Sequence, residues 1–153
     1  MKLTRSAQLG LAAGAVALVL LVLLKGRSAA AAAGGWGGSQ RVAEKARAVA
    51  ASLGIPITSE KRTLADTVRV GSSTASDHYT GNTASFALDF GVAGSRGDQL
   101  ALRLAEAYGI PPSHIGTHKG HVIREGTTSF RLQLLWRVAG HFDHVHLGIR
   151  RVT

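Results

Sequence analysis

Between Gln40 and Leu53, apolar side chains fall at Val42, Ala46, Val49, Ala50 and Leu53, the spacing of one helix face. The pattern predicts a helix with Ser39 as its cap and Gly54 as its stop. Ile55 to Ser59 predicts a short strand, edge-like because Pro56 has no amide to donate to a ladder. Lys61 to Asp77 is polar with no clean period and reads as loop with one helical turn. Ser85 to Val92 (SFALDFGV) alternates as a strand does, which puts Asp89 on the face opposite Leu88 and Phe90. A second helix is expected to open at Gly97-Asp98 and run to Tyr108 with Leu100, Leu104 and Ala107 inward, stopped by Gly109 and Pro111-Pro112. His121 to Glu125 and Ser129 to Val138 predict two strands joined by a turn at Gly126, and Val145 to Val152 predicts a last one. Helices and strands segregate loosely. The expected class is α+β, a small, largely antiparallel sheet with flanking helices.

A different pattern precedes this domain. Lys2 and Arg5 lead into an uncharged run from Leu9 to Leu24, which Lys25 and Arg27 close. As a helix that run measures roughly 24 Å against a bilayer core of about 30 Å. The run reads either as a cleaved signal peptide, with the alanines 29–33 as its cleavage region, or as an uncleaved N-terminal membrane anchor. Both deliver the domain outside the cytoplasm. The expected organisation is an apolar helix in 1–28, an Ala/Gly-rich linker over 29–38 and a folded domain over 39–153. Trp36, inside the linker, is equally compatible with a membrane interface, a packed position and an exposed one.

The chain has no cysteine, so disulfides are excluded and a zinc site would have to use histidine and carboxylate. Eighteen basic against nine acidic residues give a net charge of +9, which favours anionic partners such as wall polymers or anionic lipid. Four of those basic residues flank the apolar run, and no Lys/Arg stripe with interleaved aromatics is present, so nucleic acid is not expected.

The candidate chemistry sits in three stretches: Ser76-Asp77-His78, Ala87-Leu88-Asp89 and Asp143-His144-Val145-His146. Two imidazoles and a carboxylate are a ligand set that a catalytic zinc ion takes while keeping a position open for water. In a strand His144 and His146 share a face, and Asp143 can reach the same centre if it lies in the entering turn. Phe142 and Val145 are expected to wall the site, and Asp77, His141 and Ser76 are candidates to orient the ligand imidazoles. His114, His118 and His121 read as solvated loop histidines, Trp136 and Phe142 as core, and Glu44, Lys45 and Arg47 as a solvated helix face.

Ser76-x-His78-x-x-Gly81, Ala87-x-Asp89 and Asp143-x-x-His146 together resemble the zinc peptidases of the D-alanyl-D-alanine carboxypeptidase and L-alanyl-D-glutamate endopeptidase group. These share the hedgehog/DD-peptidase fold. The resemblance spans roughly residues 55–151 and implies Zn2+ on His78, Asp89 and His146. It further implies Asp143 as the general base and His144 as the stabiliser of the tetrahedral intermediate. In Ile57-Thr58-Ser59-Glu60-Lys61-Arg62, similar to the group's V-x-S-G-Y-R stretch, Arg62 would bind the substrate, with Arg69 as the alternative. Peptidoglycan, from the side of a bacterium or a phage, is the implied substrate. One departure is a gap of ten residues rather than six between His78 and Asp89, with Asn82 to Ser85 as an apparent insertion. A metal-containing module that binds the wall or serves structure without turnover is the alternative.

Overall fold

A computed structural model of the chain describes residues 35–153; the apolar run, and the targeting role expected of it, lie outside the described residues. Among the described residues no helix is long and apolar enough to cross a membrane.

Five strands, β1 (Ile57–Ser59), β2 (Ser85–Gly91), β3 (His121–Glu125), β4 (Thr128–Leu135) and β5 (His144–Arg151), form one sheet in the order β1-β2-β5-β4-β3. Every neighbouring pair is antiparallel. Two long helices, α1 (Ser39–Ser52) and α3 (Gly94–Tyr108), supply most of the cover, and a short α2 (Leu64–Arg69) leads toward the site. The α+β expectation holds, and each expected strand is present: β3 has the expected ends, β1 starts two residues late, β2 ends one early, and β4 and β5 each start one residue early and end three and one early.

Alternation in the strands decides where the core lies. Phe86, Leu88 and Phe90 of β2, Phe130, Leu132 and Leu134 of β4, and Val145, Leu147 and Ile149 of β5 all point to one side and are buried. There they meet Val42, Ala43, Ala46 and Ala50 of α1 and Leu100, Ala101 and Leu104 of α3. Small residues on α1 let it lie close to the sheet. Tyr108 closes α3 against α1 by donating its hydroxyl to Val42 O at 2.6 Å and accepting from Ala46 N at 3.0 Å. Burial pushes its phenol above the ordinary range, against the opposing effect of the bond from Ala46 N.

Several local expectations are corrected. Ser39 does not cap α1 but is its first residue, fully buried, with its hydroxyl donated to Ala84 O; Gly38, at φ +89°, occupies the cap. The second long helix starts at Gly94 rather than Gly97, because Ala93 is already the extended residue before it. The helical turn after Lys61 is a real helix with Thr63 as its cap, accepting from Asp66 N at 3.2 Å. Thr63-Leu-Ala-Asp66 is a capping pattern that the sequence displays. Trp36 packs against the core, and the Lys61 ammonium stands 4.3 Å from its ring centroid. The ordered fold therefore reaches back into the supposed linker. Arg47 is not merely solvated, since it pairs with Glu60 at 2.5 Å. Phe142 is 64% exposed rather than core, whereas Trp136 is buried as expected.

Candidate metal centre

The sheet face away from the helices carries the candidate site. Register brings it together: His146 on β5 pairs with Asp89 on β2, and Leu135 flanks it from β4. His78 arrives on a loop. That loop is tied to the stretch after β1 by Arg62 N donating to His78 O and Thr80 N donating to Arg62 O at 2.9 Å. The insertion between His78 and Asp89 is gathered by one cation. Lys61 Nζ stands 2.6–3.1 Å from the carbonyls of Asp77, Tyr79, Asn82 and Ser85. Burial lowers this ammonium to about 8, against the favourable charge of Asp77. The longer loop is thus held in place rather than left to displace the ligands.

Three donor atoms converge. His78 Nε2 lies 3.0 Å from Asp89 Oδ1 and 3.2 Å from His146 Nδ1, and His146 Nδ1 lies 2.8 Å from Asp89 Oδ1. Ligands about 2.0–2.1 Å from a tetrahedral ion stand about 3.3 Å apart, so the observed separations are close to what such an ion needs. The His78 tautomer agrees. Its Nδ1 is 2.5 Å from Glu60 O, and a carbonyl only accepts, so Nδ1 carries a proton and Nε2 is the ring nitrogen left to face the cluster. Two such nitrogens and a carboxylate oxygen turned on one point need a positive charge between them, a metal ion or a proton. His78, Asp89 and His146 are therefore able to hold a metal ion.

Asp89 is nearly enclosed. Burial opposes its ionisation, yet hydrogen bonds with His146 and His78 outweigh that cost and hold its carboxyl well below the usual carboxylate range. Its second oxygen, Oδ2, accepts from Arg62 Nη2 at 2.5 Å, while Arg62 Nε donates to Ser59 Oγ at 2.8 Å. Arg62 thus borders the site as expected, but its guanidinium is committed to a ligand carboxylate. Arg69 instead pairs with Asp66 on α2 and is 77% exposed in its side chain.

The tail motif divides. His144 lines the cleft, with Nε2 3.9 Å from Asp89 Oδ1 and its ring 4.8 Å from that of His141. Asp143 immediately precedes β5, 88% exposed in its side chain, and does not line the cleft. It accepts from His144 Nδ1 at 2.8 Å, a bond that holds its carboxyl below the ordinary range. Val145 faces the core, the opposite side from His144 and His146, and so gives the site no wall. Of the candidate orienting groups, Ser76 accepts from His78 N at 3.2 Å, and Asp77 binds Arg150. His141, whose imidazolium burial disfavours, stands edge-on to His146 with ring centroids 5.4 Å apart.

An open cleft of about 850 Å³ lies over the cluster, bounded by Val70–Ser73 at the end of α2, by Gly140 and His141, and by His118 and Gln133. His118 is the exposed loop histidine expected, and it also borders the cleft. Sequence reasoning also missed Gly148. A Cβ there would lie 2.8 Å from Asp77 Oδ2 and 3.2 Å from His146 Nε2, so the glycine keeps the floor of the site clear. A glycine two residues after a strand histidine, on the same face, was the available signal.

No family model, curated protein or solved structure matches the chain.

Proposed function

We propose that the chain is a zinc-dependent peptidase hydrolysing peptide bonds in the stem peptides or cross-links of peptidoglycan, outside the cytoplasm, in wall lysis or remodelling by a bacterium or a phage. The observation that carries this reading is the convergence of His78 Nε2, Asp89 Oδ1 and His146 Nδ1 on the floor of an open cleft. Their types and order are those of the peptidase motifs. A charge of +9 suits an anionic wall, and the N-terminal apolar run, if retained, would tether the enzyme to a membrane.

Zinc held by these three residues would supply Lewis-acid polarisation of the scissile carbonyl and would acidify water. The protein's own groups do the rest. Glu60 O sets the His78 tautomer, and Arg62 holds Oδ2 of Asp89 so that Oδ1 faces the centre. Asp143 accepts the Nδ1 proton of His144 and thereby turns Nε2 toward the cleft. That nitrogen takes a proton from the attacking water and returns it to the leaving amine. The proton thus travels through His144, with Asp143 behind it, in place of the direct role that the motif assigns to Asp143.

The test is mass spectrometry of muropeptides from purified peptidoglycan incubated with the chain, with zinc and after chelation. New products that depend on zinc support the reading, and their masses name the bond cut. The exposed, outward Asp143 favours one second reading, a non-catalytic metal-containing module that binds the wall. It predicts wall binding with zinc bound and no products from walls of several chemotypes.

A further inference from the structure

The open sheet face extends beyond the ligand cluster, and its far end carries a second group of side chains that the proposed reaction leaves unused. Arg131 on β4 and Arg150 on β5 are direct cross-strand partners. Like charges placed opposite each other in a sheet repel, so the pair calls for an anion. Asp77 supplies one, its Oδ1 accepting from Arg150 Nη2 at 2.5 Å and Nε at 3.0 Å. Arg131 donates Nη2 to His118 O at 3.1 Å, and among the described residues it pairs with no carboxylate. Two guanidiniums against one carboxylate leave a positive charge over.

That charge lies in a continuation of the cleft. Asp77, Arg131, Gln133 and Arg150 line a hollow of about 100 Å³, and all but Arg131 also line the main cleft. Two glycines make room for it: Gly148 beneath Asp77, and Gly120, where any Cβ would strike the Arg131 side chain. The hollow runs from Asp77, which meets His146 across Gly148, to Arg150, four residues along β5 from His146, a backbone span of about 13 Å at roughly 3.3 Å per strand residue. An extended peptide covers that span in about four residues.

We propose that Arg131, with Arg150 beside it, forms an oxyanion subsite that takes a carboxylate of a ligand lying along the cleft. Asp77 shows that the hollow is dimensioned for a carboxylate, and the guanidinium fork matches that group's two oxygens. Only the identity of the ligand as a peptide rests on the proposed function. The subsite would select substrates that carry an acidic group three or four residues from the bond cut.

The experiment follows the arginine Nε–H resonances of the full-length chain during titration with glutarate, with inorganic phosphate and with neutral glutaramide. Glutarate is expected to move the Arg131 signal and glutaramide to leave it in place. Arg131→Gln should weaken glutarate roughly tenfold or more, and Arg131→Lys less, with melting temperature and zinc stoichiometry unchanged. Equal glutarate affinity in the wild type and Arg131→Gln overturns the subsite. Phosphate binding that depends on Arg131 while glutarate binding does not overturns the carboxylate assignment. A chain that binds glutarate through Arg131 yet releases no muropeptide products keeps the subsite and discards the peptidase. One that cuts muropeptides while Arg131→Gln leaves anion binding untouched does the reverse.

Discussion

Replacing Lys61 with methionine removes one cation and leaves four backbone carbonyls, those of Asp77, Tyr79, Asn82 and Ser85, without their shared donor. An ammonium has three N–H donors, each worth about 1 kcal/mol net. The gross loss is therefore about 3 kcal/mol, and relief from burying the charge reduces it to about 2 kcal/mol. For a fold of this size 1 kcal/mol moves the melting temperature by about 4 °C, so calorimetry at pH 7 should show a fall of about 8 °C. The cage straddles His78 and reaches the first residue of the strand that bears Asp89, so zinc affinity measured by titration calorimetry should fall as well. Lys45→Met provides the control, because Lys45 Nζ reaches a single exposed carbonyl, Ala107 O, at 3.2 Å. It should shift the melting temperature by no more than about 2 °C. If Lys61→Met melts like Lys45→Met and binds zinc like the wild type, the cage does not hold the loop and the account of the insertion is wrong.

Gly148→Ala forces Asp77 or His146 aside and should weaken zinc binding roughly tenfold to a hundredfold, with far-UV circular dichroism unchanged. Asp98 accepts from Trp136 Nε1 at 2.8 Å and from Arg137 Nε and Nη2 at 2.7 Å, and these bonds, Trp136 first, lower its pKa. A depressed carboxylate stabilises the fold above its unfolded pKa near 4 and loses that contribution as pH falls through the folded value. The melting temperature of Asp98→Asn should therefore lie below that of the wild type at pH 7 and approach it under acid conditions; a gap constant with pH would refute the assignment. Under the peptidase reading, Asp143→Asn and His144→Ala act on one proton path, so kcat for the double variant should fall little below that of the worse single variant. Independent, multiplying losses would return Asp143 to a separate role.

Much of the fold was legible because it is local. Period-two alternation placed β2, the turn at Gly126 separated β3 from β4, and the spacing of Val42, Ala46 and Ala50 placed α1, since a periodic pattern reports a face that must be buried whatever covers it. The ligand types were legible too, because the chemistry of histidine and aspartate travels with the residue. Alternation even implied that Val145 turns away from His146, although the residue was first read as a wall of the site.

Tertiary structure decided what the residues do to one another. His78 and His146 stand 68 positions apart and meet only because β2 and β5 pair in register and Lys61 gathers the intervening loop. The partner that orients His78 is a backbone carbonyl, that of Glu60, and every residue type has one, so no pattern of side chains could have named it. The commitment of Arg62 to Asp89, the outward turn of Asp143 and the opposition of Arg131 to Arg150 likewise depend on register and on the direction of a chain entering a strand. Sequence spacing carries a residue's chemistry and its face; distances between elements arise only when the sheet closes.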